Sequence, residues 1–67
     1  MNDQRREELQ KQYMQLYHEL DEWRQKDNHI LFELGNPPEL DDERGRILQK
    51  MREITGEMQR LRRQLEE

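Results

Sequence analysis

The residues best placed for metal chemistry are a histidine and two carboxylates in the first half of the chain. His18, Asp21 and Glu22 are spaced three and four residues apart, so on a helix they share a face. Structural zinc sites usually need four ligands, and di-iron bundles use an inward Glu-x-x-His that this sequence lacks. In the helical register described below all three side chains point outward. We therefore expect a solvated charged surface, with no metal and no other cofactor.

Covalent and nucleotide chemistry also lack candidates. The chain contains no cysteine and no serine to pair with a histidine, and Thr55 is its one threonine. Gly35, Gly45 and Gly56 are too widely spaced to form a phosphate-binding loop. The sequence predicts a non-enzymatic protein with no catalytic and no cofactor-binding residues.

The composition favours long helices. Of the 67 residues 30% are hydrophobic and 42% are charged, while alanine, valine and serine are absent. The longest apolar stretch, Ile30–Phe32, is far shorter than a membrane span, and no apolar segment follows Met1 as in a signal peptide. The net charge of −4 disfavours nucleic acid as a partner. We expect a soluble, cytoplasmic protein.

An apolar heptad pattern runs through the first half of the chain. Its first core position holds Tyr13, Leu20, Asp27 and Leu34, and its second holds Leu9, Leu16, Trp23 and Ile30. Gly35 then supplies a residue suited to the left-handed conformation that ends many helices. This pattern predicts a first helix over about 3–34 and a turn over 35–39.

The same spacing returns in the second half. The repeat consists of Leu40, Arg44, Ile47, Met51, Ile54, Met58, Leu61 and Leu65. Pro38 suits the first turn of a helix, and the acidic residues after it suit its positive end. A second helix is expected over about 40–66, so that residues 1–67 form a single all-α unit, an antiparallel two-helix hairpin of coiled-coil type.

One register satisfies both heptad patterns and the short turn. It sets Leu34 level with Leu40, Trp23 with Met51, and Leu9 with Leu65. The two polar exceptions, Asp27 and Arg44, then fall in adjacent layers. We expect a salt bridge between them, whose role is to fix the register of the hairpin.

A single seam between two helices leaves its residues half exposed, which indicates a partner. Tyr17, Leu31 and Leu48 occupy the position just after the second core residue, on one edge of the hairpin, and are named here the apolar edge. The opposite, charged edge sets like charges side by side: Glu33 with Glu43, Lys26 with Lys50, and Glu19 with Glu57. The sequence predicts a homodimeric four-helix bundle sealed along the apolar edge. Met14 and Phe32 lie outside both edges, and Phe32 is expected to fold over the prolines of the turn.

The architecture resembles two families of bacterial helical hairpins. Small sporulation phosphatases carry a Ser-Gln-x-Leu-Asp motif on their second helix, of which the Leu-Asp pair is matched here by Leu20-Asp21 on the first helix, without the Ser-Gln. Plasmid copy-number regulators form dimeric four-helix bundles that bind paired RNA loops, and the likeness to them is one of shape. Neither resemblance assigns functional residues to this chain.

The function expected from the residues is a dimeric regulator or assembly adaptor that binds an unidentified protein client. An RNA-binding bundle is the second hypothesis, with Arg5, Arg6, Arg60, Arg62 and Arg63 gathered at the open end of the hairpin. The third is the oligomerisation arm of a larger protein, against which Met1 argues mildly.

Overall fold

A computed structural model describes residues 3–66 of the chain, and in this range it is 94% helical with no strand. Helix α1 spans Asp3–Asn28 and continues through a π-helical turn at His29–Glu33. A 3-10 turn at Pro38–Leu40 leads into helix α2, Asp41–Glu66. The molecule measures 49 × 16 × 12 Å, which is about the length of one helix, so the chain folds back on itself. The all-α helical hairpin expected from the sequence is confirmed.

The linker between the helices shows why the chain reverses at this point. Gly35 has φ 74°, which confirms the left-handed conformation expected of it, and Asn36 follows with φ 52°. The N–H of Asn36 donates to the carbonyl of Ile30 at 2.9 Å and closes the end of the first helix. Pro38 occupies the first turn of the next helical segment, where its missing N–H costs nothing.

The π-helical turn was not anticipated from the sequence, and it changes the last core layer. The Leu34 N–H donates to the His29 carbonyl, five residues back, at 3.1 Å. Such a turn holds one residue more than an α-helical turn, so the residues that follow fall behind the heptad. Leu34, expected in the core, is 49% exposed, and Phe32, expected over the turn, is 74% exposed.

The remaining core positions form the seam between α1 and α2. Five side chains are buried: Leu9, Ile30, Ile47, Ile54 and Met58. The half-buried side chains of the seam are Tyr13, Leu16, Leu20, Trp23, Leu40, Met51, Leu61 and Leu65. No side chain of a described residue is fully enclosed, as befits a domain two helices thick. Neither helix, over the described residues, is long and apolar enough to cross a bilayer.

Candidate interaction surfaces

The apolar edge is open to solvent. Tyr17 is 51% exposed and Leu48 is 37% exposed, while Leu31 is half-buried. Met14, 50% exposed, borders this edge beside Tyr17. Three of the five large apolar side chains that stay exposed in the described residues, Met14, Tyr17 and Leu48, therefore lie on or beside one edge. A concentration of this kind marks an interaction surface, whereas scattered apolar residues do not.

Core side chains beside the apolar edge are less buried than those beside the charged edge. The first core position of α2 holds Arg44, Met51, Met58 and Leu65, and it lies next to the apolar edge, as does the first core position of α1. Of the five buried side chains only Met58 belongs to a first core position, and the other four belong to second positions, beside the charged edge. The hairpin thus covers one side of its seam well and leaves the other side incomplete.

The surface area of the chain shows how much is left uncovered. A compact globular protein of 8.5 kDa has an accessible surface of about 4,650 Å². The hairpin has 5521 Å². The excess is close to the ~800 Å² that each partner contributes to a protein–protein interface of standard size. One further layer of helices along the apolar edge would bring the chain to ordinary compactness.

The charged edge has a different construction. Its six charged residues make no ion pair with one another, and Glu33 contacts His29 on its own helical turn instead. Two shallow grooves lie here, of ≈ 360 and ≈ 780 Å³, the first floored by Leu16 and Leu61. The Lys26 Nζ lies 4.3 Å from the centre of the Trp23 ring, which is a cation–π contact. The Lys26 side chain thus extends over the seam on this edge, beside the two open grooves.

A polar network joins α1, the linker and α2 at the turn end of the apolar edge. The Arg44 Nε donates to the Asp27 Oδ1 at 2.8 Å, and a second guanidinium nitrogen lies 3.4 Å from Oδ2. Their side chains are 21% and 13% exposed, so the pair expected between these residues is present and partly buried. The remaining Arg44 nitrogen donates to the Asn36 Oδ1 at 3.0 Å, a contact that the heptad pattern did not reveal.

The electrostatics of this network are simple. The hydrogen bond from Arg44 to Asp27 raises the pKa of Arg44, and the nearby charge of Asp41 acts in the same direction. A raised arginine pKa means that the guanidinium keeps its charge until strongly alkaline solution, so Arg44 is no pH switch. The network ties the left-handed linker to both helices.

The histidines and their carboxylate neighbours form no assembled site. His18 packs edge-on against the Tyr17 ring, with ring centres 6.2 Å apart. The Asp21 carboxylate accepts a hydrogen bond from Gln25 at 3.0 Å, rather than facing His18. Between Asp3 and Glu66 no three His, Asp or Glu side chains converge on a point where a metal ion could bind.

Comparisons with protein-family models, with curated proteins and with solved structures find no match to this chain.

Proposed function

We propose that this chain is a small, non-enzymatic protein–protein interaction module that works as a homodimer in the cytoplasm. Two hairpins pack along their apolar edges into a four-helix bundle, and the outward faces bind a client protein. The role is that of a regulator or an assembly adaptor. The module acts by holding surfaces together and performs no reaction of its own.

The observation that carries this proposal is the exposed apolar edge. Tyr17 and Leu48 would lose most of their exposed area in such a bundle, and half-buried Met51 and Leu20 would complete their burial. Burial of apolar area is the main driving force of association, at about 25 cal/mol per Å². Helical hairpins with one thin seam commonly complete their cores in this way.

The test compares two disruptive changes with one matched control. The double variant Tyr17→Glu/Leu48→Glu places charges on the apolar edge, whereas Phe32→Glu changes a large apolar side chain that is exposed elsewhere. Light scattering after size-exclusion chromatography should give a monomer for the double variant and a dimer for both the wild type and the control. Circular dichroism checks that each variant stays helical. A wild type that elutes as a folded monomer contradicts the proposal.

The client is tested separately, because a dimer without a client would be only a scaffold. Immobilised wild type and the double variant are incubated with lysate of the source cell, and bound protein and RNA are both identified. A protein retained by the dimer and lost with the monomeric variant supports the adaptor role. Capture of structured RNA with a steep salt dependence would instead favour the RNA-binding alternative.

A further inference from the structure

The apolar edge can meet a second copy of itself in two symmetrical ways. With the twofold axis along the hairpin, α1 of each copy packs on α2 of the other, and both turns lie at the same end. With the axis perpendicular to the hairpin, each helix packs on its own counterpart, and the turns lie at opposite ends. Resting on the self-association proposed above, we infer that the second arrangement is the one this chain forms.

Two charges at the ends of the apolar edge distinguish the arrangements. Asp41 and Arg62 both occupy the position just after a second core residue, the same position as Leu48, and they are about 32 Å apart along α2. With the turns at opposite ends, α2 packs on α2 of the second copy, and Asp41 faces Arg62 at each end of the interface. With the turns together, Asp41 faces the apolar Leu31 of the other copy, and burying a carboxylate against it is costly.

The geometry fixes where the twofold axis crosses α2. The midpoint between Asp41 and Arg62 lies beside Met51, and Met51 is level with Trp23 in the hairpin register. Asp21 and Arg24 lie on either side of that level, so the axis brings Arg24 of one copy to Asp21 of the other. Arg24 has no hydrogen bond or ion pair within the described part of its own chain. The pairing supplies one.

One apolar pair is also placed symmetrically about the same midpoint. In this register Leu31 lies about 13 Å from the axis on the turn side, and Met14 lies about 13 Å from it on the other side. The two would therefore pack on each other, aliphatic against flexible thioether. Within one copy the Arg62 Nε lies 3.4 Å from a Glu66 carboxylate oxygen, but both side chains are highly exposed, and such a pair is readily rearranged.

Distance measurements between spin labels test the arrangement directly, because the chain has no cysteine and each introduced one is unique. Glu39→Cys labels the turn, and Arg52→Cys labels the level of the proposed axis. Pulsed dipolar spectroscopy should give about 40 Å between the turn labels and less than about 25 Å between the central labels. Two short distances would overturn the inferred arrangement and keep the dimer. No dipolar signal at either site would overturn self-association itself.

A charge exchange gives an independent readout that a dimer with both turns at the same end would not produce. Asp41→Arg and Arg62→Asp should each weaken dimerisation roughly threefold to tenfold, and the double exchange should restore it, because opposite charges face each other again. Glu43→Arg, which also removes an acidic residue from the first turn of α2 but lies on the charged edge, is the matched control. If the single exchanges do not weaken dimerisation, or if the double exchange weakens it by the sum of both single effects, the pairing of Asp41 with Arg62 is contradicted.

Discussion

The two edges of the hairpin enclose the same seam and solve the problem of covering it in different ways. On the charged edge four of the eight second core positions are buried, and the Lys26 side chain extends over Trp23. On the apolar edge Met58 is the one buried side chain among the first core positions, and Tyr17 and Leu48 remain exposed. Coverage by the chain's own long side chains suits a face that stays wet, whereas exposed apolar side chains suit a face that is covered by another molecule. Under the proposed dimer, the partner is therefore expected on the apolar edge.

The largest expected effect separates the two edges at neighbouring residues of α2. Ile47 is 3% exposed and Leu48 is 37% exposed. Ile47→Ala should lower the free energy of unfolding by roughly 2–4 kcal/mol at every protein concentration, because it opens a cavity inside each hairpin. Leu48→Ala should cost less, and its cost should disappear on dilution as the dimer dissociates. Thermal unfolding over a concentration series checks both, and equal, concentration-independent losses would remove the distinction between the edges.

The polar network at the turn end interrupts the apolar edge and gives the next largest effect. Asp27→Leu and Arg44→Leu should each lower the midpoint of thermal unfolding by several degrees, because each leaves one partly buried charge without its partner. The double variant should regain the loss, since no charge is stranded. Calorimetry of all four proteins forms the cycle, with light scattering to follow the dimer. If the loss in the double variant equals the sum of the losses in the two single variants, the pair stabilises the fold and does not merely fix its register.

The turn determines which residues lie on each edge. The effect of a substitution at its glycine, Gly35, can be compared with that of the same substitution at Gly56 on the outer surface of α2. Gly35→Ala should cost roughly 1–2 kcal/mol, because its φ of 74° strains any residue with a Cβ. Gly56→Ala should stabilise the hairpin by about 1 kcal/mol, because a Cβ there meets open space and alanine favours the helix. Urea unfolding measures both. If Gly56→Ala instead weakened client capture, that outer face would be a contact surface.

The smallest effect belongs to the charged edge. In the wild type Lys50 lies level with Lys26, so two like charges are neighbours. Lys50→Glu replaces one of them with a carboxylate and should raise the free energy of unfolding by up to ~0.5 kcal/mol. The same change should leave the dimer mass unaltered, since this edge faces solvent. Urea unfolding at low and high salt follows the gain, which should shrink as salt screens it. A loss of dimer in this variant would show that the second copy binds the charged edge and contradict the proposed dimer.

Much of the architecture could be predicted from spacing alone. Two heptad rows and one short turn that contains Gly35 and two prolines are compatible with a single antiparallel register. In that register Asp27 and Arg44, the two charged residues of the rows, lie in adjacent layers. The π-helical turn could not be predicted, because it depends on one extra residue in a hydrogen-bond ladder and has no composition of its own. Its consequences, an exposed Leu34 and Phe32 and a second left-handed residue at Asn36, were missed with it. The contact of Asn36 with Arg44 depends on that backbone and on no periodic signal.

The claim that the apolar edge is covered by a second copy is tested most directly by sedimentation equilibrium of the unaltered chain, from low to high micromolar concentration. The account predicts a mass twice the 8.5 kDa of one chain, falling towards the single-chain value on dilution. A helical, cooperatively unfolding species of 8.5 kDa at every concentration would contradict it.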